Sequence, residues 1–150
     1  MAFLGIGVGS IDVILNKTTF YPDEELEGSA TLRLNEEVKA RGFFAELVAS
    51  KYDGNSTTIL FSSKLTLDSE RIYYPAETPK SYNFKFKIPV GIVSEIYYVG
   101  LIGSVMNFFQ ENNNRSISWF LKVKLDLPLS FDVSKSIQIF VNKRPQKAQN

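Results

Sequence analysis

The side chains here that could do acid–base or nucleophilic chemistry are carboxylates, lysines and tyrosines, because the 150 residues include no histidine and no cysteine. Without imidazole there is no usual general base, no usual nitrogen ligand for a metal and no Ser-His-Asp triad. Without thiols there are no disulfides, thiolate zinc sites or cysteine nucleophiles. Carboxylates alone could run glycoside hydrolysis, but that needs two of them opposed across a cleft. The acidic pairs are Glu24-Glu25, Glu36-Glu37 and Asp68 with Glu70, each at a turn or on a polar strand face. Solvated surface is the expectation for all of them. The chain is therefore expected not to be an enzyme, and no catalytic residue, metal ligand or cofactor is predicted.

Binding is better served than catalysis. Lys85 and Lys87 are two residues apart, as are Lys122 and Lys124. Side chains two apart on a strand share a face, so each pair lies on one polar face. If the two strands were neighbours, about 4.8 Å apart, the four ammonium groups would form one basic stripe and repel unless acidic groups or an anionic ligand offset them. Aromatic doublets recur at Phe20-Tyr21, Phe43-Phe44, Tyr73-Tyr74, Tyr97-Tyr98 and Phe108-Phe109. On a strand, neighbours face opposite ways, so a doublet sends one ring inward and leaves the other for the surface. The candidate partner-binding residues are Lys85, Lys87, Lys122, Lys124, Tyr97 and Tyr98. Gly5, Gly7 and Gly9 lack the strand, helix and lysine of a phosphate loop, and residues 1–9 read as a flexible lead-in.

The elements that must position these residues are strands. From Leu26 to Leu34, apolar or small residues alternate with polar ones, which calls for one buried and one wet face. Tyr82, Phe84, Phe86 and Ile88 alternate with Asn83, Lys85 and Lys87; Trp119, Leu121, Val123 and Leu125 alternate with Phe120, Lys122 and Lys124; Ile137, Ile139 and Val141 close the series. Pro22 and Asp23 mark a turn, and Asp53 to Ser56 a hairpin. The expected core includes Leu26, Ala30, Leu32, Leu34, Phe84, Phe86, Trp119, Leu121 and Val123. Seven or eight strands joined by turn clusters predict an all-β, two-sheet, immunoglobulin-like sandwich, a single domain over 1–150 with a polar tail at 143–150. Residues 90–109 are mostly apolar, with Glu95 as the only charge. Three glycines and several polar residues dilute the run, so it reads as a strand or short helix covering a sheet edge, with an apolar docking surface as the other reading.

Three stretches carry a family resemblance. Ile11-Asp-Val-Ile-Leu-Asn-Lys17 followed by Tyr21-Pro-Asp-Glu-Glu-Leu-Glu-Gly28 resembles the opening of an arrestin-like domain. Val38-Lys-Ala-Arg-Gly-Phe-Phe-Ala-Glu-Leu47 resembles that family's entry into its third strand. Tyr82 to Pro89, and then Ser118 to Pro128, resemble its aromatic strand closed by Ile-Pro and a later strand ending at a proline. The order of these pieces spans nearly the whole chain and is similar to one domain of the bacterial sporulation-control and retromer-type members, which have two. The resemblance implies a sandwich acting as a non-enzymatic protein–protein interaction module, an adaptor or scaffold. Roles tied to an interdomain groove are not carried over.

The expected partner is therefore another protein, with sheet edges as a route to a homo-oligomer. Nucleic acid is not expected, since the net charge is +1 and no aromatics interleave the lysines. Peripheral membrane contact is not expected either. The alternative function is a carbohydrate-binding sandwich using exposed aromatics such as Tyr73, Tyr74, Tyr97 and Tyr98. The first ten residues lack a basic stretch and a long apolar run, so a cytoplasmic location is the expectation.

Overall fold

Alternation becomes ten strands in the computed structural model, which describes residues 7–92, 117–128 and 132–143. In chain order they are β1 (Gly9–Leu15), β2 (Thr19–Phe20), β3 (Glu25–Leu34), β4 (Val38–Ala40), β5 (Gly42–Tyr52), β6 (Thr57–Asp68), β7 (Arg71–Tyr73), β8 (Lys80–Lys87), β9 (Ile117–Asp126) and β10 (Val133–Val141). A single 3₁₀ turn, Pro75–Glu77, separates β7 from β8. The excess over the seven or eight strands expected comes from β2, β4 and β7, which are two or three residues long and too short to show a period.

One sheet has the order β1-β3-β8, the other β2-β10-β9-β5-β6, and β4 with β7 forms a separate ribbon. All pairings are antiparallel except the two-residue contact of β2 with β10. This is the arrangement of a two-layer sandwich. The nine residues expected in the core are all buried, and they join Phe43, Leu47 and Ile139 in one apolar cluster fed by both sheets. Phe43 of β5 meets Tyr82 of β8 across the layers, with ring centroids 5.0 Å apart. Each fully buried Leu or Phe contributes about 1.5–3 kcal/mol of transfer free energy, a gross gain that the entropy of ordering the chain largely offsets.

The turns follow from their residues. Asp23 sits at φ 77° behind Pro22, the left-handed position of a type II turn. Glu24 N donates to Tyr21 O at 3.2 Å and closes it. In the β5–β6 hairpin, Asp53 Oδ1 accepts the backbone N–H of Asn55 and of Ser56, both at 2.9 Å. Those two donors, Ser56 first, hold the Asp53 carboxyl below its ordinary range. Gly54 carries the positive φ of 96° that lets the loop be this short. Gly28 serves a close approach instead: a Cβ there would lie 2.8 Å from Ile14 O, from Leu15 Cδ2 and from Phe84 Cζ.

Tyr97, Tyr98 and almost all of the apolar segment 90–109 lie outside the described residues, as do most of the lead-in and the tail. Among the described residues, no helix is long and apolar enough to cross a membrane.

Candidate lysine groove on the five-stranded sheet

The two lysine pairs do not form one stripe. β8 is an edge strand of the three-stranded sheet, whereas β9 lies inside the five-stranded one. The physical reason is that alternation sets which face a side chain takes but not which sheet its strand joins. On β8, Lys85 faces Glu27 across β3 and Lys87 faces Glu25. Lys85 Nζ lies 3.9 Å from Glu25 and Lys87 Nζ 3.1 Å from Asp23. The repulsion expected there is offset by carboxylates of the β3 end. A wide, shallow dish of about 570 Å³ is lined by Glu27 and Lys85 together, so its charged side chains sum to no net charge.

The β9 pair has different neighbours. Antiparallel register fixes the outer face of the five-stranded sheet row by row. Lys124 stands between Phe44 of β5 and Ser134 of β10; Lys122 stands between Glu46 and Ser136. One strand further, Lys64 of β6 lies beside Glu46. With Lys135 these residues line a groove of about 420 Å³. Lysines 64, 122 and 124 thus come from two strands distant in sequence, whereas Lys135 borders the groove but pairs with the buried Val123 and so belongs to the inward-facing row of β10.

The side chains are held in particular ways. Lys64 Nζ sits 4.1 Å from the centroid of the Phe44 ring, a cation–π contact that fixes its stem along the sheet. Ser62 Oγ donates to Glu46 Oε2 at 2.6 Å, turning that carboxylate toward β6. Glu46 makes no ion pair with either flanking lysine among the described residues. Lys124 Nζ is 3.7 Å from Asp132. Lys122 and Lys135 have no carboxylate within ion-pair reach among the described residues. Counting Glu46 and Asp132, the groove keeps an excess of positive charge, and hydroxyls of Ser134 and Ser136 stand beside it as hydrogen-bonding groups. Such a groove offers ammonium and hydroxyl donors with which an anionic group could pair.

Of the residues lining this groove, the sequence singles out Lys122 and Lys124 as candidates and Phe44 only as part of a doublet; Lys64, Lys135 and Glu46 are not singled out. The alternation of Ser62, Lys64 and Thr66 could have put Lys64 on an outer face. Nothing local could have put it beside β9, because β5 intervenes.

The acidic pair Asp68 with Glu70 needs correction as well, because Asp68 is not plain solvated surface. Its side chain is 18% exposed. Oδ2 accepts Arg71 Nη2 at 2.9 Å and the Tyr82 hydroxyl at 2.7 Å, and Oδ1 accepts Ser69 N at 2.8 Å. Hydrogen bonds from Arg71, then from Tyr82 and Ser69, hold the carboxyl at about 2 against the opposing effect of burial. Arg71 also binds Glu77 at 3.0 Å and stacks over Tyr73, 4.0 Å from its centroid. The guanidinium is raised further by these carboxylates, and Glu77 is lowered by Arg71 and by Tyr74 N–H. Burial pushes the Tyr73 hydroxyl up to about 12 and raises Tyr82 as well. These groups satisfy one another and tie β6, β7 and β8 into a corner, which is a structural role. Among the described residues no cluster of three or more acidic side chains is placed to hold a metal.

The aromatic platform is corrected too. Tyr73 is 1% exposed and donates its hydroxyl to Ser69 O, so it cannot stack on a sugar. Tyr74 is 43% exposed and stands without its doublet partner.

No protein-family model and no curated protein matches the chain in sequence. Among solved structures the chain is similar to the sporulation control protein Spo0M from Bacillus subtilis, with a TM-score of 0.59 and 17% identity over 91% of this chain and 50% of that one. At that identity the likeness is one of fold: the arrestin-like β-sandwich. The chain spans about half the length of Spo0M.

Proposed function

We propose that this chain is a non-enzymatic interaction module, an adaptor of the arrestin-like type working in the cytoplasm, that docks an acidic segment of a partner protein in the lysine groove. The observation that carries the reading is the convergence of Lys64, Lys122 and Lys124 on one groove, which Lys135 borders, with Glu46 turned aside by Ser62. The fold it shares with a sporulation control protein supports a regulatory rather than a catalytic role. The absence of histidine and cysteine points the same way. Exposed ion pairs contribute only about 0–1 kcal/mol each, so affinity here depends on several lysines acting together.

The test uses a labelled Glu/Asp-rich peptide titrated with the full chain, followed by fluorescence anisotropy at low and high salt. The variant Lys64→Gln, Lys122→Gln, Lys124→Gln, Lys135→Gln should bind far more weakly and lose most of the salt dependence. The same substitutions at Lys85 and Lys87 should change little. Equal binding by both variants, or tighter binding to anionic vesicles or RNA than to the peptide, would refute the reading.

A further inference from the structure

We infer that β6 is a self-association edge, at which a second copy of this chain pairs antiparallel about a two-fold axis and joins the two five-stranded sheets. β6 pairs with β5 on one side and with no described strand on the other. An open edge presents unpaired N–H and C=O groups as a template for another strand. The other long edges are less suited to a like partner. β8 carries Lys80, Lys85 and Lys87, so a symmetric pair would crowd six lysines along one seam. β1 packs beside β10, whereas the bonds of β6 to β8 are made at its Asp68 end, beyond the regular stretch.

The register comes from the residues. Two irregularities in the β5–β6 pairing, one between Ala49 and Ser50 and one between Phe43 and Phe44, bound the regular stretch of β6 at Phe61 to Thr66. Bulges bend an edge and end its pairing, so a partner should use the stretch between them. There Phe61, Ser63 and Leu65 share the inner face, opposite Ala49, Leu47 and Ala45; Ser62, Lys64 and Thr66 share the outer face. A two-fold perpendicular to the sheet keeps faces, so it pairs like-facing residues and makes the contact isologous. Placing the axis at Ser63 sets Phe61 of each copy against Leu65 of the other, and Ser62 against Lys64. Moving the axis to Lys64 would oppose two lysines. Moving it to Ser62 would leave Phe61 against Ser63. Of these three central registers, only the one at Ser63 pairs apolar with apolar and keeps the charges apart, and it keeps Phe61 and Leu65 both inside the regular stretch.

The chain's lack of cysteine makes this directly testable. In an antiparallel pair, directly opposite Cα atoms are about 4.5–5.5 Å apart, inside the roughly 4.4–6.8 Å that a disulfide spans. Ser63→Cys should therefore form a covalent dimer under mild oxidation. Thr66→Cys should not, because its two copies would be offset by six residues, about 20 Å along the strand. In sedimentation, the unmodified chain should dimerise with rising concentration. Ser62→Lys puts two like-charge pairs across the axis and should weaken the dimer about tenfold. Adding Lys64→Glu to it should restore the dimer by making both pairs attractive. A chain monomeric at its highest soluble concentration overturns the inference. So does a dimer that ignores Ser62→Lys and crosslinks no faster through Ser63→Cys than through Thr66→Cys. Circular dichroism of each variant separates loss of pairing from loss of fold.

Discussion

Replacing Asp68 by Asn removes one negative charge while keeping the shape and an oxygen able to accept the Tyr82 hydroxyl. In the folded chain the Asp68 carboxyl titrates at about 2, against an ordinary 3.8. Each unit of difference between folded and unfolded chain is worth about 1.4 kcal/mol, so the ionised carboxylate contributes about 1–2 kcal/mol after allowing for its partial exposure to water. The sign follows from the direction. A depressed carboxyl stabilises the fold fully above about pH 4, and that contribution is lost as the pH falls through about 2. Asp68→Asn should thus be about 1–2 kcal/mol less stable at pH 7. The gap should close between about pH 4 and pH 2, because a protonated carboxyl and the amide that replaces it are then equal in charge. Urea unfolding followed by the fluorescence of Trp119, the sole and buried tryptophan, reports both chains in the same way. A gap that persists undiminished at pH 2 would show that packing, not charge, carries the effect. No gap at pH 7 would refute the role of Asp68 in tying the corner.

Two glycines give opposite kinds of test. Gly28→Ala should cost about 1–3 kcal/mol in denaturant unfolding, because the added methyl meets the Ile14 carbonyl and the Phe84 ring with no room to shift both. Gly54→Ala has empty space around its Cβ but a φ of 96°, so it should cost about 1 kcal/mol through the backbone alone; Gly54→Asn should recover part of that loss, and equal stability of all three chains would refute it.

What the sequence discloses and what it withholds divide along a physical line. Period-2 alternation is local, so it places Leu26, Phe84 and Trp119 in the core and Lys122 and Lys124 on an outer face. Sheet membership is set by pairings between strands far apart in the chain, such as β5 with β9, and no local pattern encodes them. Alternation therefore cannot tell that β8 and β9 belong to different sheets, nor bring Lys64 and Glu46 beside Lys122. Asp68 reads as solvated surface for the same reason: Tyr82, fourteen residues away, supplies part of what holds it. Tyr73 reads as a candidate surface ring because a doublet says that one ring turns inward without saying which. The short strands β2, β4 and β7 are too brief for a period to exist.

The groove and the β6 edge share Lys64, and this sharing makes the two proposals separable. A two-fold at Ser63, perpendicular to the sheet, keeps both outer faces on one side of the joined sheet. The two Lys64 side chains then lie two residues apart along adjacent strands, and their fields add. Exposed like charges at that separation oppose the dimer weakly, and salt relieves the opposition. Dimerisation driven by backbone pairing and by Phe61 against Leu65 should therefore strengthen, or hold steady, as salt rises. Docking of an acidic segment by four lysines must weaken over the same range, because screening acts on attraction as it does on repulsion. One salt series with two readouts, sedimentation for the edge and peptide anisotropy for the groove, gives falling peptide binding beside a dimer that rises or stays level if both readings hold. If the edge reading fails, the anisotropy trend survives without dimers. If the groove reading fails, dimers persist while the peptide is ignored at every salt concentration.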